Sequence, residues 1–280
     1  MQDDRRAAPA RADVAELAAA VYRDGFAGLP GAFSREWAMR LREDFDVLYA
    51  EARARDDGTV SRGPNRHYLA IHPERLTGFL ELITQPAIVA LCEHMLGEDY
   101  QVVEVAFDVP LPGAVHQPWH RDFPMPEETR TDGRLSSLAF NVTTVDVSPE
   151  MGPMEVAPGT QFDPGDDFEH GMFPPEPHHA RYAQLATRRR PSLGDASVRT
   201  GLTIHRGTPN VSQVPRPVLV LGVVAPEVDT AGVHSVELSA PFFDALPGEL
   251  RGHLRATRVS ELAPIRQRHS IEGLVMGGEG

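Results

Sequence analysis

Apolar and polar positions alternate in two different rhythms along the chain. From Val14 to about Ala54 the spacing is helical: VAELAAAVYRDG runs to Gly25, and AFSREWAMRLREDFDVLYAEARARDDG follows with Ser34 where an N-cap is expected. A third helical stretch, ERLTGFLELITQPAIVALCEHMLG, carries Leu and Ile on one face and stops at Gly97. Beyond it the runs become short and β-branched, bounded by Pro, Gly and Asp: YQVVEVAFDV, LSSLAFNVTTVDV, MEVAPG, LTIHRG and VLVLGVVA. No helical segment separates the central strands, which disfavours an alternating βαβ fold and predicts a jelly roll or related antiparallel sandwich, mainly β, buttressed by the N-terminal helices. The expected single domain, residues 1–280, divides into a helical buttress over 1–97, a jelly-roll core over 98–226 and a C-terminal extension over 227–280. The extension reads as helix followed by a loose end. A long unpatterned loop, Phe162 to Gly194, is the preferred lid, because such loops in compact domains tend to be functional.

Composition narrows the function. No apolar run reaches the ~18 residues of a membrane span. The net charge of -13 repels phosphate backbones, so no nucleic-acid partner is expected. Every basic residue is arginine, which excludes lysine nucleophiles and Schiff bases. Cys92, the single cysteine, forms no internal disulfide, and the opening MQDDRRAAPARADVAELAAAV lacks the apolar core of a secretory signal; a cytoplasmic protein is expected.

The chemistry concentrates in Gln117-Pro118-Trp119-His120-Arg121-Asp122. In extended backbone, residues two apart share a face, so His120 and Asp122 present an imidazole and a carboxylate to one ion. Composition alone yields about two His-x-acid matches, and the second, His72-Pro73-Glu74, is taken as chance because its proline cannot donate to a sheet ladder. His205, downstream among strands, completes a set of two imidazoles and one carboxylate, which suits non-haem Fe(II) with open positions for dioxygen. Eleven residues later comes Arg216, whose guanidinium can grip a carboxylate through two parallel hydrogen bonds.

With GFAGLPGAFSREWAMRLR, QPWHRD, MGPMEVAPGTQ, and His205 followed by Gly207, Asn210, Ser212 and Arg216, the chain resembles the phytanoyl-CoA dioxygenase family of Fe(II)- and 2-oxoglutarate-dependent oxygenases, from about Gly25 to about Ala225. The resemblance implies a double-stranded β-helix (cupin-like jelly roll). It implies that His120, Asp122 and His205 bind iron and act in catalysis, and that Arg216 pairs with the distal carboxylate of 2-oxoglutarate, with Gln117 and Thr160 as further co-substrate contacts. Gln161 departs from the histidine frequent after the Pro-Gly-Ser/Thr turn. The activity implied is O2-dependent oxidation, by default hydroxylation, of a small organic metabolite with release of succinate and CO2. Asp122 occupies the position that a halogenase would leave to halide. The competing classes are a cupin-like metal-binding protein without turnover and a noncatalytic interaction protein.

Other residues have blander readings. Trp119 and Phe123, pointing away from the ligands, are expected in the core; His178 and His179 in a solvent-exposed loop; Arg188 to Arg190 in a solvated turn. Asn65, Arg66, His67 and Tyr68 lie either near the pocket mouth or in a loop packed on the sheet, and Asn141 and Met154 face substrate or fill the sandwich. The substrate, position oxidised and oligomeric state stay open at this level.

Overall fold

Two helices with one buried stripe each open the described chain. A computed structural model describes residues 11–230, 236–268 and 276. The first ten residues, part of the opening read for a signal, lie outside it. Helix α1 (Arg11–Asp24) leads through Gly25, at φ 72°, into strand β1 (Phe26–Leu29). Helix α2 (Arg35–Arg53) starts where Ser34 accepts a hydrogen bond from the Trp37 amide at 3.1 Å, and buries Trp37, Leu41, Phe45 and Leu48 at helical spacing. After β2 (Val60–Ser61) and β3 (Arg66–Ala70), the third helical stretch is divided: a 3-10 turn (Pro73–Arg75), α3 (Phe79–Ile83) and α4 (Pro86–Leu96). The break is local chemistry. Pro86 has no N–H to continue α3, while Gln85 accepts from the Ala87 and Ile88 amides and starts α4 afresh.

The strand-forming runs behave as their composition dictates. They give β4 (Gln101–Pro110), a short helix α5 (Glu127–Asp132), β5 (Ser137–Thr143) and β6 (Glu155–Val156). Next come α6 (Glu176–Leu185), β7 (Thr187–Arg188), β8 (Ala196–Arg199), β9 (His205–Arg206) and β10 (Val218–Val224). A seven-stranded antiparallel sheet has the order β1-β8-β5-β10-β4-β3-β2, and a three-stranded sheet the order β7-β6-β9. The C-terminal region adds β11 (Val236–Ser239), α7 (Ala240–Ala245), α8 (Gly248–Gly252) and β12 (Ala256–Val259), with β11 and β12 parallel.

The architecture is therefore mixed α/β, with N-terminal helices and several sheets, and no closed barrel is formed among the described residues. Three expectations change. Helices α5 and α6 lie between strands of the core, where no helical segment was expected. The stretch from Phe162 to Gly194 is not an unpatterned loop: α6 buries Tyr182 against Trp119, and β7 pairs with β6. The tail is helix, then strand, and its later part lies along β3, where the Gln267 amide group exchanges hydrogen bonds with both backbone groups of Ala70.

One face of the large sheet is apolar and the other is not. Val105, Phe107 and Val109 of β4, Phe140 and Val142 of β5, and Leu219 and Leu221 of β10 join helix residues such as Phe45 and Leu91 in one core cluster. Their alternating neighbours, Glu104, Asp108, Asn141 and Gly222, face the other side, toward the three-stranded sheet.

Candidate metal centre

A single backbone bridge brings the two histidines together. His120 and His205 exchange both backbone hydrogen bonds, at 3.0 and 2.9 Å, and their rings stand 4.4 Å apart between centroids. Asp122 is held next to them by its amide, which donates to the Gly201 carbonyl at 2.7 Å. One ligand atom from each of His120, Asp122 and His205 lies within 4.8 Å of the others. Among the described residues this is the one group of three or more His, Cys, Asp or Glu side chains so placed.

The ring orientations follow from what each nitrogen touches. Nδ1 of His120 lies 2.9 Å from the Pro118 carbonyl, and Nδ1 of His205 2.8 Å from the Thr203 carbonyl. A carbonyl oxygen only accepts, so each Nδ1 carries the proton and each Nε2 keeps its lone pair for an ion. Burial pushes the His120 imidazolium down to about 4, against the pull of Asp122. Burial, then Arg199 and His120, push His205 to about 3. Both rings are therefore neutral at neutral pH, as metal ligation requires.

Asp122 is ionised for a different reason. Burial alone raises its carboxyl, but Arg199 foremost, then His205 and His120, hold it below the usual range. Arg199 Nη2 donates to Asp122 Oδ2 at 2.8 Å, while Oδ1 lies 3.5 Å from His205 Nε2. The guanidinium thus fixes the carboxylate plane with one oxygen toward the histidines. The Asp122 side chain keeps 28% of its accessibility although both imidazoles are nearly sealed, so the centre opens to solvent on the carboxylate side. The donor set is that of a non-haem iron site with an open face.

Other expected residues fall at varying distance from this centre. Arg216 is buried, its Nε donates to the Met151 carbonyl at 3.1 Å, and burial, then Arg66, lower its pKa to about 10, so it stays cationic. Arg66, the nearby cation that lowers Arg216, packs its guanidinium on Gly207, two residues past His205, and its Nη1 bonds Asp108 Oδ2 at 2.8 Å. Gln117 ties its own strand to Gly207, its Oε1 accepting from the Gly207 amide at 3.0 Å. Thr160 is fully buried, its hydroxyl donating to the Ala157 carbonyl and accepting from the Ile204 amide, so it shapes the turn beside β9. His72 and Glu74 stand apart from the centre, engaged with the Ala263 carbonyl and the Ser239 amide. Trp119 lies in a core cluster with Tyr182 and Ile204, and Phe123 packs partly buried on the main core. His178 bonds Asp167, and Arg188, beyond a simple solvated turn, bonds the buried Glu155. A groove of ≈ 680 Å³ between α1, β1 and the start of α4 includes none of these site residues.

Arg199 escaped the sequence reading. It belongs to no motif, and only the pairing of β8 into the sheet shows which way it faces.

The family model for phytanoyl-CoA dioxygenase (PhyH) matches residues 21–218, a span that contains all three metal donors and Arg216. The chain belongs to the phytanoyl-CoA dioxygenase family. A curated relative, an L-proline trans-4-hydroxylase from Streptomyces griseoviridis, is 30% identical over 147 residues, 50% of this chain and 52% of that protein. The chain thus spans about half the length of the curated relative it matches. Among solved structures, the epimerase SnoN in complex with Fe3+, alpha ketoglutarate and nogalamycin RO superposes with a TM-score of 0.60 at 21% identity, covering 96% of this chain and 99% of that one. The carbocyclase SnoK from nogalamycin biosynthesis gives 0.60 at 19%, covering 75% and 83%. EctD from S. alaskensis with 2-oxoglutarate and 5-hydroxyectoine gives 0.60 at 20%, covering 80% and 78%. At these identities the likenesses establish the family fold.

Proposed function

We propose that this family member is an Fe(II)- and 2-oxoglutarate-dependent dioxygenase that oxidises, most simply by hydroxylation, a small organic metabolite, releasing succinate and CO2. The observation that carries the reading is the convergence of His120, Asp122 and His205, with both Nδ1 atoms tied to carbonyls and Asp122 held by Arg199. The structures of SnoN with Fe3+ and alpha ketoglutarate and of EctD with 2-oxoglutarate, which share the fold, support it, as does the hydroxylase among the relatives. The epimerase and carbocyclase show that related scaffolds serve other outcomes too.

In this reading His120, Asp122 and His205 hold the iron, and Arg216 anchors the distal carboxylate of 2-oxoglutarate. Bound iron with the ketoacid supplies the oxidising power that, from O2, transfers an oxygen atom to a substrate C–H bond. The protein's part is placement. Pro118 and Thr203 fix the imidazole tautomers, Arg199 aims the carboxylate, and Gln117 holds the strand of His120 to the Gly207 segment after His205. Gln117 and Thr160 act on the co-substrate site by shaping its walls. The three-stranded sheet with the bridge at His120 and His205 forms the minor wall, and the seven-stranded sheet the major wall, of an open double-stranded β-helix. One core cluster running from Val14 to Leu254 supports a single oxygenase domain. Among the described residues no helix is long and apolar enough to cross a membrane, and the acidic surface suits a cytoplasmic enzyme of a small molecule.

The test is anaerobic. Fe(II) and 2-oxoglutarate added to the apoprotein should give a visible charge-transfer band. His120→Ala should abolish it, and Arg216→Ala should require at least about 100-fold more 2-oxoglutarate, the loss of a charge-assisted pair of hydrogen bonds. A wild-type protein that binds iron but gives no band, or an Arg216→Ala variant with unchanged 2-oxoglutarate demand, would leave a metal-binding protein without this activity.

A further inference from the structure

The hairpin of β2 and β3 sets an arginine on the polar face of the large sheet. Val60 pairs with Tyr68 and Ser61 with His67, and the Arg62 amide continues the ladder by donating to the Arg66 carbonyl at 2.9 Å. Residues directly opposed share a face, so Arg62, Arg66 and Tyr68 stand on the same side as Asp108, the partner of Tyr68 on β4. Gln117 ties this hairpin to the metal centre: its Nε2 donates to the Arg62 carbonyl at 3.5 Å, while its Oε1 holds the Gly207 amide beyond His205. The carboxylates on this face are each engaged by another group. Asp108 pairs with Arg66, Asp122 with Arg199, and Glu104 accepts from the Tyr68 hydroxyl. Arg62 is partly buried, and among the described residues it forms no ion pair. Its Cζ lies 4.2 Å from the centroid of the Tyr68 ring, and its Nη1 lies 4.0 Å from Met276 Sδ, a weak acceptor. Stacking occupies the face of the guanidinium and leaves its edge, where the N–H groups lie, for a stronger acceptor. Behind burial, and behind Arg199 at Asp122, the Arg62 charge is among those that lower both His120 and Asp122, as a cation within electrostatic range of the metal ligands does.

We infer that Arg62 determines specificity by gripping a carboxylate of the substrate beside the iron centre, through the guanidinium edge that the Tyr68 ring leaves free. A carboxylate offers two coplanar oxygens that match two parallel N–H groups of the fork, and the aromatic ring beneath holds the fork in one plane before the substrate arrives. Because Arg62 is partly desolvated, a neutral isostere of the carboxylate leaves the cation without its counter-charge and is bound less well. The Asp122 side of the centre is the open one, so a molecule held by Arg62 enters where the metal has room for it. This assignment rests on the oxygenase reading, and it names the charge class of the molecule that the iron centre oxidises.

The experiment uses three fragments of matched size: cyclohexanecarboxylate, cyclohexanecarboxamide and cyclohexylmethylammonium. Their binding to the full chain, saturated with 2-oxoglutarate and diamagnetic Zn(II), is measured by saturation-transfer NMR titration. The carboxylate should bind at least about ten-fold more tightly than either other fragment, and Arg62→Gln should remove that preference. If Arg62→Gln does not fold, Arg62→Lys tests the same geometry: an ammonium keeps the charge without the fork, so the preference should keep its sign and shrink several-fold. Equal or better binding of the amide, preference for the ammonium, or absence of carboxylate binding overturns the inference. A carboxylate preference that survives in the variant means that the fragment sits on the metal or against Arg216, and overturns it equally. So does an Arg62→Gln variant whose charge-transfer band with Fe(II) needs more than about ten-fold extra 2-oxoglutarate, since Arg62 would then serve the co-substrate. Absence of the charge-transfer band in the wild type fails the oxygenase reading separately.

Discussion

Arg199→Leu should loosen the metal without loosening the fold. In the native chain Arg199 Nη2 donates to Asp122 Oδ2 at 2.8 Å, from a side chain 9% exposed to one 28% exposed. Hydrogen bonds to charged groups contribute about 1.5–3 kcal/mol. Partial exposure of Asp122 argues for the lower half, about 2 kcal/mol, equivalent to roughly 30-fold in metal affinity, within the about 10–100-fold typical of groups that orient metal ligands. The loss acts through orientation, because the carboxylate remains ionised at neutral pH even with a normal pKa. Stability of the apoprotein should change by less than about 1 kcal/mol, since Arg199 also buries Nε and Nη1 without partners and leucine removes that burden. Anaerobic competition for Fe(II) with a chromophoric chelator gives the affinity, and thermal melting of the apoprotein gives the stability. An affinity within two-fold of wild type would refute the orienting role of Arg199, and an equally large loss of apoprotein stability would show that it acts through the fold instead.

Gly207→Ala should displace a charge, because its Cβ would lie 2.1 Å from Arg66 Nη2 in a side chain with little room to move; disturbing the Arg66–Asp108 pair should cost about 2 kcal/mol on melting, and an unchanged melting temperature would count against the packing described. Cys92 is fully buried, and burial raises its thiol far above the usual range, so native protein should resist iodoacetamide at pH 8 and react only after denaturation, as mass spectrometry would show. Leu219→Ala, at a fully buried site on β10, should cost about 2–5 kcal/mol in urea unfolding; a smaller loss would mean that the sheet and helix layers close over the cavity.

Much of this molecule is legible in short windows of chain. The periodicity of Glu36 to Arg53, the β-branched runs of β4 and β10, and the alternation that puts His120 and Asp122 on one side are set by neighbours within a few residues, where backbone geometry and burial act together. His205 and Arg216 stood out by their place among the later strands, the resemblance to the oxygenase family implied their roles, and the fold brought His205 to His120 through one bridge. Only tertiary structure decided the rest. Arg199 lies 77 residues from Asp122, and Tyr68 lies 36 residues from Glu104, so no local pattern records either pair. The same holds for β7, whose exposed Thr187 and Arg188 carry no hydrophobic signal and form a strand because β6 offers an edge. Burial is a collective property of the assembled sheets, and the electrostatics of this centre follow from it: the same imidazoles that would be half-charged near pH 6.5 in water are neutral here once the fold excludes solvent around them.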